Sequence, residues 1–314
     1  MDDVTDTVFR EIVAETARPD VFMTEFVNAE ALNSAGREAM LGRLKFTKAQ
    51  RPVVAQLWGQ QPENYYLATK LVKKLGFSGV DINMGCPDRK VLKIGAGAAL
   101  INNRSLAAEI IKSVKAGAGG LPVSVKTRIG VKDIQTKDWL TFLLKQDLAA
   151  ITVHCRTAGE LSKVRAHWNE IAKVVKLRDE LSPQTLIIGN GDVKNYQDAA
   201  AHAQKYGVDG VMIGRGVFSD PAAFSKAPLT LSQQDKLDML LKHTQLFVKT
   251  WGSTKNFEIM KKFFKIYCCG FPKAAKLREE LMSSRCLEDV KSVLTSYLAN
   301  RRKERTKRAY PEFI

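Results

Sequence analysis

The sequence predicts an α/β fold followed by a smaller all-helical domain. Apolar runs typical of short buried strands recur along the first two thirds of the 314 residues, at 21–26, 53–57, 80–83, 123–126, 151–154, 186–189 and 210–213. Helical patterns follow most of them, and such alternation indicates a parallel sheet. The alternation stops after Pro221, and residues 231–308 are helical in pattern. We therefore predict a (β/α)8 barrel, the TIM barrel, over residues 1–228, a helical domain over 229–308 and a tail over 309–314.

Seven strands are visible, whereas a (β/α)8 barrel has eight. We expect strand one to precede Met1 and to be missing from this chain. A doubly wound open sheet is the alternative, but no G-x-G-x-x-G pattern follows an early strand. Ahead of the first visible strand we predict an amphipathic helix capped by Thr5 or Asp6. Its apolar face is formed by Val8, Phe9, Ile12 and Val13.

The charge is strongly basic. The chain has 49 Lys and Arg against 33 Asp and Glu, a net charge of +16, and residues 231–308 hold 18 of these cations and only 8 of the anions. Such an excess favours a polyanionic partner, and nucleic acid before a membrane. No membrane-length apolar run or secretory signal is evident, and the five cysteines lack zinc-site spacing. We predict a cytoplasmic protein without a metal site.

The stretch 79–100, GVDINMGCPDRKVLKIGAGAAL, contains the first candidate for chemistry. Its strand must end near Cys86, because Pro87 has no amide donor and fixes its own φ. A thiol at the carboxyl end of a buried strand, beside Asn83 and followed by the cations Arg89 and Lys90, is a candidate reactive group. The alternative is that Cys86 only packs, since free cysteine is often buried.

Polar residues also end six successive predicted strands. They are Gln56, Asn83 with Cys86, Lys126 with Arg128, His154 with Arg156, Asn190 to Asp192, and Gly214 with Arg215. In barrel enzymes the active site forms at this carboxyl rim, which favours function over six unrelated structural roles.

The last two of these motifs, GNGD and GRG, are glycine turns whose amides can approach an anion closely. Arg215 adds a forked cation, and Lys126 places a second cation near a bound ring. Together they suit a phosphorylated planar cofactor such as FMN. Glycines that merely permit tight turns would account for Gly189 and Gly191 but not for Arg215.

The motifs MDDVTD, AQLWG, DINMGCP, GAGAAL, VKTRIG, HCRT, GNGD and IGRG, in this order over nearly the whole chain, resemble those of the tRNA-dihydrouridine synthases. The resemblance implies an FMN-binding (β/α)8 barrel followed by a helical tRNA-binding domain. It implies reduction of the C5–C6 double bond of specific uridines in tRNA, with NADPH reducing the flavin. We expect a monomer.

The resemblance also implies residue roles. Cys86 matches the proton donor to C5. The positions that match flavin contacts are Met1, Asp2, Gln56, Lys126, His154, Asn190, Gly191, Asp192, Gly214 and Arg215. Asn83 matches a residue of the substrate pocket, and we assign Arg89, Lys90, Arg128 and Arg156 to the substrate as well.

The chain departs from the family pattern at three places. The Ala-Pro that precedes Met1 in the family is absent, Cys155 replaces the glycine of HGRT, and ELSKVRAHW replaces a loop containing Tyr-Ser-Gly. Two other functions stay open from the residues alone. A flavin barrel acting on a free pyrimidine, like dihydroorotate dehydrogenase, predicts no basic helical domain. A non-catalytic RNA-binding protein on the same fold predicts loss of the rim residues.

Overall fold

The computed structural model describes residues 4–309, and for Ser253 and residues 302–309 it describes the backbone only. Two predicted flavin contacts, Met1 and Asp2, lie outside the described residues. No helix within the described range is both long enough and apolar enough to cross a membrane.

The chain divides into two compact units. The first reaches to Val217 and includes Ala223–Lys226, and the second comprises Phe218–Ala222 and the chain from Ala227 onward. Each unit has its own buried apolar core.

The first unit contains one parallel sheet with all seven predicted strands. They are β1 (Phe22–Asn28), β2 (Val53–Trp58), β3 (Gly79–Met84), β4 (Val123–Arg128), β5 (Ala150–His154), β6 (Leu186–Asn190) and β7 (Gly210–Met212). Each strand pairs with the next one in the chain, so β1 and β7 form the two edges. This uninterrupted order belongs to the barrel class and not to a doubly wound sheet, whose strand order reverses. The described residues hold no counterpart of an eighth strand.

Helices alternate with these strands. They are α1 (Thr7–Thr16), α2 (Ala29–Leu32), α3 (Arg37–Arg43), α4 (Pro62–Lys74), α5 (Arg89–Lys93), α6 (Arg104–Ala118), α7 (Thr136–Leu144), α8 (Trp168–Leu181) and α9 (Tyr196–Tyr206). Asp6 caps α1 by accepting a hydrogen bond from the Phe9 amide at 2.9 Å. The predicted apolar face of α1 is confirmed, since its four residues are all buried.

The strand register aligns the predicted polar residues at one edge of the sheet. Asn83 lies opposite Lys126, Arg128 lies opposite His154, and His154 lies opposite Asn190. Because all strands are parallel, their carboxyl ends meet at this same edge. The site can therefore be assembled from residues far apart in the sequence.

The second unit is helical, as predicted. Its helices are α10 (Gln233–Trp251), α11 (Lys261–Tyr267), α12 (Ala274–Met282) and α13 (Leu287–Ala309). Ser232 and Asp235 form a capping box at the start of α10. The aromatic side chains of α11, including Phe263 and Phe264, are buried, whereas Lys262 and Lys265, which flank these two residues in the sequence, are exposed. This arrangement leaves the cations of α11 on the surface of the unit.

Candidate active site

Cys86 lies in a loop that is fixed by its own backbone. Asn83 Oδ1 accepts hydrogen bonds from the amides of Gly85, at 3.1 Å, and Cys86, at 2.9 Å. On the other side the Cys86 carbonyl accepts a bond from the Ala98 amide at 3.1 Å. These three contacts use only the backbone of Cys86, whereas its thiol interacts with the backbone amide of Asp88.

The GAGAAL motif packs against this loop through its backbone. Gly97 has a φ of +59°, and a Cβ added there would lie 2.8 Å from the Cys86 carbonyl oxygen. Only glycine allows the two backbones to approach so closely. The sequence alone indicates no role for this motif, because nothing local shows that it contacts the cysteine.

Arg128 holds the same loop from the neighbouring strand. It is 7% exposed, and it donates to the carbonyls of Gly85, at 2.8 Å, and Thr157, at 2.9 Å. Cys86 itself is half-buried, and burial raises the pKa of its thiol above the ordinary value. The thiol is therefore protonated at neutral pH.

Four side chains form a polar chain inside the sheet. Gln56 donates to Asp81 Oδ2 at 2.8 Å and accepts from Asn83 Nδ2 at 3.2 Å. The second oxygen of Asp81 accepts from Ser124 Oγ at 2.6 Å. The predicted residues Gln56 and Asn83 thus bond directly to each other, and Gln56 connects them to Asp81, a carboxylate that the sequence analysis did not assign to the site. An acidic residue within a buried strand of the DINMGCP motif was the available signal.

Burial perturbs both ionisable groups of this region. It raises the pKa of Asp81, which is fully buried, to about 6, against the opposing effect of its hydrogen bonds and of Lys126. Burial and the nearby Arg128 lower the pKa of Lys126 to about 8, although Asp81 partly offsets them. At neutral pH Lys126 remains largely cationic.

The Asp81 shift predicts how stability depends on pH. The folded chain holds the Asp81 proton more tightly than the unfolded chain does, so the Asp81 contribution to stability should fall as pH rises from the ordinary pKa of 3.8 towards about 6. This difference corresponds to about 3 kcal/mol. Urea unfolding across this range should show that Asp81→Asn removes the fall, whereas Asp20→Asn, at an exposed site, retains it. Parallel curves for wild type and Asp81→Asn would contradict the assignment.

His154 is neutral and surrounded by cations. Burial first, and then Lys126, Arg128, Arg156 and Arg215, lower the pKa of His154 to about 2. Its Nε2 lies 3.3 Å from Arg156 Nη1, and because a guanidinium only donates, Nε2 is the acceptor and the proton is on Nδ1.

The turn after β6 is shaped by an unusual backbone. Gly191 has a φ of +133°, and a Cβ there would lie 2.8 Å from Ala166 and 3.3 Å from the His154 ring. Asp192 follows with a φ of 57° and accepts from Arg156 at 2.5 Å. The Asn190 side chain donates to the Met212 carbonyl at 2.8 Å, which ties β6 to β7.

The turn after β7 is open on one side and packed on the other. The nearest atom to a Cβ added at Gly214 is Asn190 Nδ2, at 3.9 Å, so the Gly214 backbone is accessible. A Cβ at Gly216 would lie 2.3 Å from the Lys194 carbonyl, so the turns after β6 and β7 touch through their backbones. The Arg215 side chain is 63% exposed and lies 3.6 Å from Asp192.

The remaining predicted substrate residues fall into two groups. Arg89 and Lys90 are exposed at the start of α5, directly after the Cys86 loop. Arg156, by contrast, is 2% exposed and donates to protein groups, as does Arg128. Cys155, the departure in HCRT, is fully buried and packs in the core. Among the residues with described side chains, no His, Cys, Asp and Glu cluster could hold a metal ion.

These residues fit FMN, the cofactor that the family resemblance implies. An accessible glycine backbone at Gly214 and the exposed fork of Arg215 suit a phosphate group. Lys126 and the uncharged His154 lie at the same edge of the sheet, where a planar ring could be held.

The fold and the convergent polar edge define an enzyme of the (β/α)-barrel class. The solved structure of histamine dehydrogenase from Rhizobium sp. 4-9 is similar in fold, with a TM-score of 0.53 and 12% identity, covering 78% of this chain and 47% of that chain.

The pattern of the family described as dihydrouridine synthase (Dus) matches residues 1–302, and the chain belongs to this family. It is 45% identical over 300 residues to a probable tRNA-dihydrouridine synthase 2 of Bacillus subtilis (strain 168), covering 95% of this chain and 92% of that protein. It is also 45% identical over 302 residues to a probable tRNA-dihydrouridine synthase of Staphylococcus aureus (strain COL), with the same coverage of 95% and 92%.

Proposed function

We propose that this protein reduces the C5–C6 double bond of specific uridines in tRNA to give 5,6-dihydrouridine. The observation that carries this proposal is the position of Cys86, in a loop that Asn83 and Ala98 fix at the carboxyl edge of the sheet, in a chain of the dihydrouridine synthase family. When bound, FMN supplies the hydride for C6 and is reduced again by NADPH.

Cys86 is the proton donor in this proposal. The Sγ–H bond breaks as a C–H bond forms at C5, and the thiolate then takes a proton from water. A group that donates a proton must carry it at the working pH, and the raised pKa of Cys86 satisfies this condition. The contacts of Asn83 and Ala98 to the backbone keep the thiol in position.

The flavin would be held by residues of five strand ends. Arg215 and the backbone at Gly191, Asp192 and Gly214 would hold the phosphate, with Asn190 fixing the turn. Gln56, Lys126 and His154 would contact the ring and its ribityl chain, and Met1 and Asp2 remain predicted contacts. The four cations that lower the pKa of His154 give this edge a positive field that favours an anionic cofactor.

The tRNA would contact both units of the chain. Arg89 and Lys90 would neutralise phosphates beside the Cys86 loop, Asn83 would line the substrate pocket, and Arg128 and Arg156 would hold the loops that shape it. The second unit would supply the cations of α11 and α13 for the tRNA backbone. The target uridine must leave its stack to reach the sheet edge. We propose that the protein works in the cytoplasm as a monomer.

The test is reconstitution. Purified full-length protein with FMN, NADPH and an unmodified tRNA transcript is expected to form dihydrouridine, detected by mass spectrometry of the digested RNA. Reduction of free uridine or orotate but not of tRNA would support the free-pyrimidine function instead. Binding of tRNA without any product in the presence of bound FMN would indicate a non-catalytic RNA-binding protein.

A further inference from the structure

The Asp192 carboxylate connects three parts of the site. Its Oδ2 accepts from Arg156 Nη2 at 2.5 Å and from the Ala166 amide at 3.0 Å, and its Oδ1 lies 3.6 Å from Arg215 Nη2. Its left-handed backbone, with a φ of 57°, is one that Asp and Asn tolerate better than most residues. The conformation directs one carboxylate to both arginines.

Arg156 in turn holds the loop 159–166, which follows β5. Its Nε and Nη2 donate to the Val164 carbonyl at 2.8 and 2.6 Å. The guanidinium is buried between this carbonyl and Asp192. The loop's second half is thus tied to the turn after β6 by a buried arginine and, through Ala166, by a direct bond to the same carboxylate.

The start of the loop is held differently. Its Gly159 amide donates to the Val131 carbonyl at 2.8 Å, and the Ala158 amide, just before it, donates to the Gly130 carbonyl at 3.0 Å. These bonds join it to the loop after β4 and do not involve Asp192. The Lys163 amide also donates to the Glu160 carbonyl at 2.9 Å, so loss of the Asp192 contacts should loosen residues 164–166 in particular.

This loop presents cations and apolar groups together. Lys163 and Arg165 are exposed, and so are Leu161 and Val164, at 43% and 41%. Exposed cations beside apolar side chains suit the phosphates and bases of an RNA chain. The loop lies at the carboxyl edge of the sheet, where the proposed function puts the substrate.

We propose that Asp192 is a positioning residue that couples the flavin-phosphate site to this substrate-facing loop. Through Arg156 and Ala166 it holds the loop in place. Its contact with Arg215 is weakened when an anion binds at the turn after β7 and pairs with that arginine. This inference rests on the proposed function, because the anion is the phosphate of FMN and the loop serves the RNA substrate.

The coupling follows from competition for one carboxylate. The Arg215 contact is long and exposed, so a phosphate can take over that cation at little cost, whereas the Arg156 contact is short and its guanidinium is buried. The full charge of Asp192 then acts on Arg156 and Ala166, and the loop tightens. By linkage, a loop that is tied down must also raise the affinity for FMN.

Trypsin provides a direct measurement, because it cleaves after Lys163 and Arg165. Cleavage at these two bonds in the full chain is followed by mass spectrometry. The exposed sites at Lys70 and Lys74 on α4, in the same unit as the loop, serve as an internal reference for unfolding of that unit. Asp192→Asn is expected to accelerate loop cleavage roughly 10-fold with the reference sites unchanged, since the hydrogen bond from the buried Arg156 guanidinium loses its charged acceptor.

Asp147→Asn is the matched control. Asp147 also has a left-handed backbone, with a φ of 51°, and pairs with a cation, Lys115, at 2.7 Å. It precedes β5 and so lies at the opposite end of the sheet. Its substitution is expected to leave loop cleavage unchanged. Equal cleavage in wild type and Asp192→Asn would overturn the proposed clamp.

Adding FMN tests the coupling. FMN should slow loop cleavage in wild type by roughly 5-fold or more. It should have no such effect in Asp192→Asn, or in Arg215→Ala, a change at an exposed residue that leaves the Arg156 contact in place. FMN that binds wild type, as its fluorescence reports, without changing cleavage would overturn the coupling alone. Failure of FMN to bind wild type at all would overturn the coupling together with the cofactor of the proposed function.

Discussion

Cys86→Ala is expected to slow the reduction of tRNA by roughly 10² to 10⁴-fold, the usual contribution of a positioned general acid. Stopped-flow absorbance of FMN-loaded protein separates two half-reactions. NADPH oxidation in the absence of tRNA should keep a near-normal rate, because it needs no proton at C5. Reoxidation of the flavin by tRNA, seen as the return of flavin absorbance, should be slowed by this full factor.

Alanine at position 86 removes the thiol and its contact with the Asp88 amide, and it keeps the backbone contacts of the loop. The loop is fixed through the Cys86 amide and carbonyl, which contact Asn83 and Ala98, and alanine keeps both groups. Cys86→Ser should recover little activity, because a hydroxyl is a far weaker acid than a thiol. Cys286→Ala, at another half-exposed cysteine, is the matched control and should behave as wild type.

A different result would remove the thiol from the mechanism. If Cys86 only packs, alanine should lower stability and slow both half-reactions by the same factor, through loss of folded protein. A Cys86→Ala protein that is reoxidised by tRNA as fast as wild type would also exclude proton donation by Cys86. Binding of tRNA should change little in either case, since one uncharged side chain contributes little beside the phosphate contacts.

The fold was predictable because its signals are periodic and local. Each strand is a short apolar run, and β3 is buried on both faces, as expected for a strand inside a parallel sheet covered by helices. The pattern also separates helix from strand in α11, where Phe263, Phe264 and Tyr267 are buried at helical spacing. The edge at which the polar residues gather followed from parallel strand direction alone.

The connections within the site could not be predicted in the same way. Gly97 contacts the Cys86 carbonyl across a turn, and Arg128 reaches the Gly85 carbonyl from the next strand, so both contacts depend on the packed structure. The contacts of Asp81 could not be predicted, because an acidic residue in an apolar run does not indicate which side chains it bonds to. Composition likewise cannot distinguish an arginine that faces solvent, such as Arg89, from one that is buried and bonded to carbonyls.

Arg215→Ala is expected to weaken FMN binding by about 10-fold, because the phosphate loses a charge-assisted, bidentate partner that is partly screened by solvent. Titration of the apoprotein with FMN, followed by fluorescence quenching, measures the dissociation constant. The FMN dissociation constant of Arg215→Lys should lie between those of wild type and Arg215→Ala, since lysine keeps the charge but lacks the bidentate geometry of a guanidinium.

The surroundings of Arg215 indicate that its removal should lower FMN affinity without lowering the stability of the fold. Its side chain is 63% exposed and its ion pair with Asp192 spans 3.6 Å, so its removal should hardly change the free energy of unfolding. Arg18→Ala is the matched control, because Arg18 is also exposed but precedes β1, at the opposite end of the sheet. Unchanged FMN affinity in Arg215→Ala would place the phosphate elsewhere than the turn after β7. A tenfold loss in both variants would point to general electrostatic attraction by a chain of net charge +16 and not to a site.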